Sequence, residues 1–116
     1  MKPDAKLYGC EAENITALTA SSTAGRPVEV ELHPLSIGGI GLPFFMPEIW
    51  DLVKRLHDGS LLAGIGEPRD SIKLMTERFY NIAEGAAAVP VAIALSGKAG
   101  SGEIACVVSG GNIGIE

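Results

Sequence analysis

The chain is predicted to be an α/β domain, a short and mostly parallel sheet flanked by helices in three layers. Three observations predict it. Short apolar runs bounded by glycine and proline alternate with segments whose apolar residues recur at helical spacing, as in strands joined by crossover helices. The helical segments carry start and stop signals, with proline or acidic residues at their beginnings and glycine just past their ends. At 116 residues the chain can build one core, so residues 1–116 form a single domain.

Lys6-Leu7-Tyr8-Gly9-Cys10 is the first expected strand. Asn14 is then a candidate N-cap for a helix from Ile15 to about Thr23, closed by Gly25. From Arg26 to Pro43 the density of Pro27, Pro34, Gly38, Gly39, Gly41 and Pro43 predicts a long loop, with one extended piece at Val28–Leu32. Pro47 opens a second helix with Ile49, Trp50, Val53 and Leu56 on one face, ending at His57-Asp58-Gly59. A strand follows at Ser60–Ile65. The next helix starts within Gly66–Asp70 and turns Ile72, Met75, Phe79 and Ile82 inward. Ala86–Leu95 is a helix apolar nearly all round, hence buried on more than one side, and Gly97 ends it. Pro90 fits there because it lies close to the first turn. Glu103–Val108 makes a third strand, and three strands leave open edges that need cover.

Composition narrows the function classes. The apolar fraction is 47%, only 20% of residues are charged, and mean hydropathy is +0.27. That offers more apolar surface than one small domain hides, which points to a homo-oligomer or a missing N-terminal segment; equally, many Gly and Ala residues inflate the count without making adhesive surface. A net charge of −5 leaves no basic patch for nucleic acid. No apolar run is long enough to span a membrane and no signal peptide is visible, so a cytoplasmic location is expected. Cys10 and Cys106 both lie in apolar runs, as buried free thiols of a reducing compartment do.

The chemistry-bearing residues gather towards the end. The run Ile104–Val108 leads into Ser109-Gly110-Gly111-Asn112, which puts a hydroxyl and an unobstructed turn at the carboxyl edge of a sheet. In open α/β folds that edge is where ligands sit. Upstream, Glu84-Gly85-Ala86-Ala87-Ala88-Val89 sets an acidic residue at the opening of a small-residue helix. Ser-Gly-Gly-Asn alone is also an ordinary turn composition, and Glu84 alone an ordinary helix-start acid. Together the two segments resemble the end of the catalytic domain of the fold-type II pyridoxal-phosphate enzymes, the threonine/serine dehydratase and serine racemase family. The resemblance covers nearly the whole chain, strongest from Glu84 to Asn112, fair from Leu7 to Asn14 and weak across the loop.

The resemblance implies a cofactor, pyridoxal phosphate, and roles for particular residues. Ser109 would hydrogen-bond the pyridine nitrogen, a neutral contact that suits β-elimination of hydroxyl from serine or threonine. Gly110, Gly111 and Asn112 would let backbone approach the cofactor, Glu84 would sit near its ring, and Gly39 would lie in the loop facing it. Glu11 matches a family position that can bind a divalent cation; the family's second carboxylate falls here on Ala17, so the ligand set is thin. Where many members read Ala-Asp-Gly, this chain reads Ser36-Ile37-Gly38-Gly39-Ile40-Gly41 and lacks the acid. The family's Schiff-base lysine, in a Ser-x-Lys-x-Arg-Gly setting, has no counterpart among Lys2, Lys6, Lys54, Lys73 and Lys98, and the phosphate-gripping glycine loop is also absent. His33 and His57 lack partners for a zinc site or a triad. The expected protein is the C-terminal portion of a dehydratase-like catalytic domain, inactive alone and without catalytic residues of its own; the alternatives are a non-catalytic self-associating or partner-binding module, or one half of a split enzyme.

Overall fold

A computed structural model describes residues 4–33 and 41–113. Its elements, in order, are β1 (Tyr8–Ala12), α1 (Ala17–Ala24), α2 (Pro47–Leu56), β2 (Gly59–Ala63), α3 (Glu67–Phe79) and α4 (Gly85–Leu95). β1 and β2 pair in parallel, Cys10 opposite Leu61 and Ala12 opposite Ala63.

Alternation along the strands fixes the layers. Successive side chains of a strand face opposite sides of the sheet. Cys10, Leu61 and Ala63 pack with Val89, Ala92 and Ile93 of α4. Gly9 and Ser60 face the other way: a Cβ at Gly9 would strike the Leu18 side chain, and the Ser60 hydroxyl lies 2.6 Å from the Thr19 hydroxyl. α1 and α4 therefore cover opposite faces of the sheet, and α3 backs α4 through Met75, Ala83, Ala87 and Val91. The alanines of α4 let α3 and the sheet approach it closely. Pro90 removes one internal hydrogen bond from α4 without breaking the helix.

Both expected glycine stops are present. Gly25 takes a left-handed φ of 71° with its N–H on the Ser21 carbonyl, and Gly97 a φ of 79° just beyond α4. Asn14 is not the cap of α1; its Nδ2 donates to the His33 carbonyl at 3.0 Å. The capping group is Glu11, whose carboxylate accepts from Leu18 N at 2.6 Å and from Thr19 N at 3.0 Å. A carboxylate on the orphan amides of a first helical turn is a charge-assisted cap. Glu11→Ala is expected to cost about 1–2 kcal/mol, read as a lower urea midpoint at unchanged m; a shift below about 0.3 kcal/mol would contradict it.

Three expectations are corrected. Glu103–Val108 forms no ladder: β1 pairs with β2 on one edge, and among the described residues no strand lies beside 104–108. Among the described residues the sheet thus has two strands, not three. On α3 the inward stripe is Pro68, Ser71 and Met75, while Phe79 and Ile82 are exposed. Tyr80, at a left-handed φ of 52°, ends the helix and turns the chain, so Ile82 leaves the stripe and Ala83 takes the buried place. On α2 only Trp50 is buried, set edge-on to Phe45 with ring centroids 5.6 Å apart. Ile49 and Leu56 stay exposed, since no element among the described residues covers that face. The loop is pinned by a bridge between Glu29 and Phe44. Among the described residues no helix is long and apolar enough to cross a membrane.

Candidate functional site

The turn Ser109–Asn112 is carried by the segment that leaves α4 and runs back past it, the Cys106 thiol 3.5 Å from the Pro90 carbonyl. That return brings the turn to the start of α4. Glu84, the residue preceding α4, donates its N–H to the Gly110 carbonyl at 3.0 Å. Its carboxylate fills the space that a Cβ on Gly110 would need, and a Cβ on Gly111 would meet the Ile82 carbonyl at 2.6 Å. Both glycines are required by close approach, one to a side chain and one to backbone. Glu84 is half-buried at the positive end of the α4 dipole. The Ser109 hydroxyl is exposed and hydrogen-bonds no described residue.

The structure thus brings Glu84 against Gly110 and the Ile82 carbonyl against Gly111, with Ser109 next to them in the chain. Asn112 is exposed at the end of the same turn. Gly39 lies outside the described residues. Glu11 is separate from this group, with both carboxylate oxygens engaged by α1 and by the Thr19 hydroxyl at 2.7 Å. Among the described residues no three His, Cys, Asp or Glu side chains are gathered as a metal centre.

Three of the lysine amines, those of Lys6, Lys73 and Lys98, are committed elsewhere. Lys98 Nζ donates to the Leu62 carbonyl at 2.9 Å and pairs with Glu67 at 3.2 Å. Glu67 also accepts from Gly64 N at 2.6 Å; that amide first, then Lys98, holds its carboxyl below the usual carboxylate range. Lys73 pairs with Glu77 and Lys6 with Asp58, each at the long limit of an ion pair. His57 caps α2, its Nδ1–H donating to the Val53 carbonyl at 2.8 Å and Nε2 lying 3.1 Å from the Ser22 hydroxyl.

A cavity of about 360 Å³ opens beside β1, missed by the sequence reading. It is lined by Gly9, Cys10, Glu11 and Ala12 of β1 together with Ala86 and Val89 of α4 and the 41–45 segment. Nothing in composition signals it, because it follows from which edge of β1 is left unpaired.

No family model matches the chain. It is 34% identical over 116 residues to an L-threonine ammonia-lyase of Thermotoga maritima, covering 99% of this chain and 29% of that protein. The structure superposes on a T.th. threonine deaminase with a TM-score of 0.89 at 23% identity, covering 100% of this chain and 43% of that one. For a maize serine racemase the TM-score is 0.85 at 22% identity, with 98% and 38% covered. The chain spans less than half the length of each. Over the part that it spans, the chain is homologous to L-threonine ammonia-lyase and has the fold of the corresponding part of the fold-type II pyridoxal-phosphate enzymes.

Proposed function

We propose that the chain is the C-terminal portion of a dehydratase-like catalytic domain, carrying the surface that receives the cofactor ring without the surface that anchors it. The observation that supports this reading is the close approach of Glu84 to Gly110 and of the Ile82 carbonyl to Gly111, which sets the Ser109 turn beside the α4 N-terminus.

The residues present fit one part of pyridoxal phosphate. Ser109 offers an exposed neutral hydroxyl to the pyridine nitrogen, a contact that orients the ring without making it cationic. The small turn on which it stands brings no side chain between backbone and ring at Gly110 or Gly111. Glu84 fixes that turn through its N–H. Asn112 extends the same polar surface, and Gly39 is assigned to the loop that would face the ring. When bound, the cofactor supplies an electron sink for removing water from serine or threonine, giving a 2-oxo acid and ammonia. Glu11 serves α1 as a cap, and any cation beside it would have to share that carboxylate.

Among the described residues the covalent anchor has no counterpart: Lys6, Lys73 and Lys98 are paired with acids and Lys54 lies on α2. Incubated with pyridoxal phosphate and L-threonine, the chain alone is expected to form no 2-oxobutyrate above the protein-free rate. Steady turnover would refute this reading.

A second reading, a non-catalytic module that associates with itself or a partner, is favoured by the exposure of Val107, Phe79, Leu95 and Ile82. The mass in solution separates the two, since a clean monomer counts against self-association.

A further inference from the structure

α2 turns an apolar stripe to solvent. Ile49, Leu52 and Leu56 recur at the spacing of one helix face, and they are 39%, 50% and 56% exposed. Trp50, the buried residue of α2, anchors the helix through its contact with Phe45. At about 100° per residue it lies almost opposite Leu52 on the helix, so the stripe is not the face by which α2 joins its own domain. No helix or strand among the described residues covers it. The charges beside the stripe are ordered. Glu48 stands in the first turn and Arg55 in the last. Seven residues are two turns, so the two flank the stripe on the same side. Both are exposed, and among the described residues neither joins an ion pair; Arg55 Nε donates to the Asp51 carbonyl within α2 at 3.3 Å.

We propose that α2 is the contact face of a homodimer, packed antiparallel on α2 of a second copy about a two-fold axis at Leu52. In such a pair, positions on the same flank of the stripe meet each other. The midpoint of Glu48 and Arg55 falls beside Leu52. The axis that lets Leu52 meet its own copy therefore sets Glu48 against Arg55 of the second copy, twice over, and sets Ile49 against Leu56. The opposed helix dipoles add to the attraction. A parallel pair loses these contacts, because it turns the Glu48 flank towards the side of the stripe that holds Val53 and Trp50. The charge order selects the occupant: a surface complementary to α2 needs an apolar stripe with base and acid in the reverse order, and α2 turned end for end supplies both. Three apolar side chains per copy make a small interface, so the expected dissociation constant is roughly micromolar.

The proposal uses no residue of the Ser109 site, so its test omits cofactor and substrate, and its failure leaves the cofactor reading where it stands. Sedimentation equilibrium of the chain alone, up to about 100 μM, is expected to show a reversible monomer–dimer equilibrium. Leu52→Glu places a charge of each copy at the axis and should raise the dissociation constant at least about a hundredfold. Glu48→Arg creates two like-charged pairs and should raise it about tenfold. Adding Arg55→Glu to that variant reverses both pairs and should return the constant to within about threefold of the parent. All these positions are exposed, and an unchanged circular dichroism spectrum confirms the fold. A monomer throughout the range, or a dimer that Leu52→Glu leaves intact, overturns the proposal. So does a dimer that Val107→Lys dissociates and Leu52→Glu does not, which would move the contact to the tail. Failure of the charge exchange to restore association overturns the antiparallel pairing about Leu52.

Discussion

Ile93→Ala is expected to lower the unfolding free energy by about 3 kcal/mol. Ile93 is 1% exposed and packs with Val89, Ala92 and Ala63, the contacts by which α4 grips the sheet. Most other buried α4 residues are alanine or glycine, which lack the bulk to collapse into the space that the lost side chain leaves. The transfer and cavity contributions therefore add in full. A domain of this size has about 5–15 kcal/mol in total, so the loss is a large share, and α4 also supports α3 and the tail. Denaturation followed by far-UV circular dichroism measures it. Phe79→Ala, at 70% exposure, should stay within about 0.5 kcal/mol. A loss below about 1 kcal/mol at Ile93 would mean that α4 is not the centre of the core.

The sequence was most legible where local chemistry decides the outcome. Proline opens α2 and lies in the first turn of α3, and glycine follows α1 and α4, because backbone φ and missing amides act within a few residues. The all-round apolarity of α4 correctly announced burial on two sides, against the sheet and against α3. The failures concern partners distant in the chain. Residues 104–108 have a strand's composition, but a strand exists only through a neighbour's edge, and none of the described residues supplies it. The α2 stripe likewise implied a covering surface that sequence periodicity cannot provide. Glu11 was read as a cation ligand candidate and not as a cap, since no local rule connects a strand-end carboxylate with amides at positions 18 and 19. Of the site, the meeting of Glu84 with the Ser109 turn was reachable only through family resemblance. Its geometric cause, the return of the tail along α4, depends on tertiary packing.

That return makes Gly111→Val the sharpest perturbation of the candidate site. The new Cβ would meet the Ile82 carbonyl at 2.6 Å, well inside van der Waals contact. Backbone cannot swing aside as the end of a side chain can, so the turn must move. The tail is mostly exposed and joins no ladder among the described residues, so displacing it costs less than distorting α4, and the expected result is local detachment without global unfolding. The Glu84 N–H then loses the Gly110 carbonyl that it meets at 3.0 Å, and its amide exchange should accelerate about tenfold or more while amides deep in α4 keep their protection. The same displacement carries Ser109, the hydroxyl proposed to meet the cofactor ring, away from the α4 N-terminus. Unchanged Glu84 exchange in Gly111→Val would mean that the turn does not rest on residues 82–84, and the geometry assigned to the ring-facing surface would fall with it.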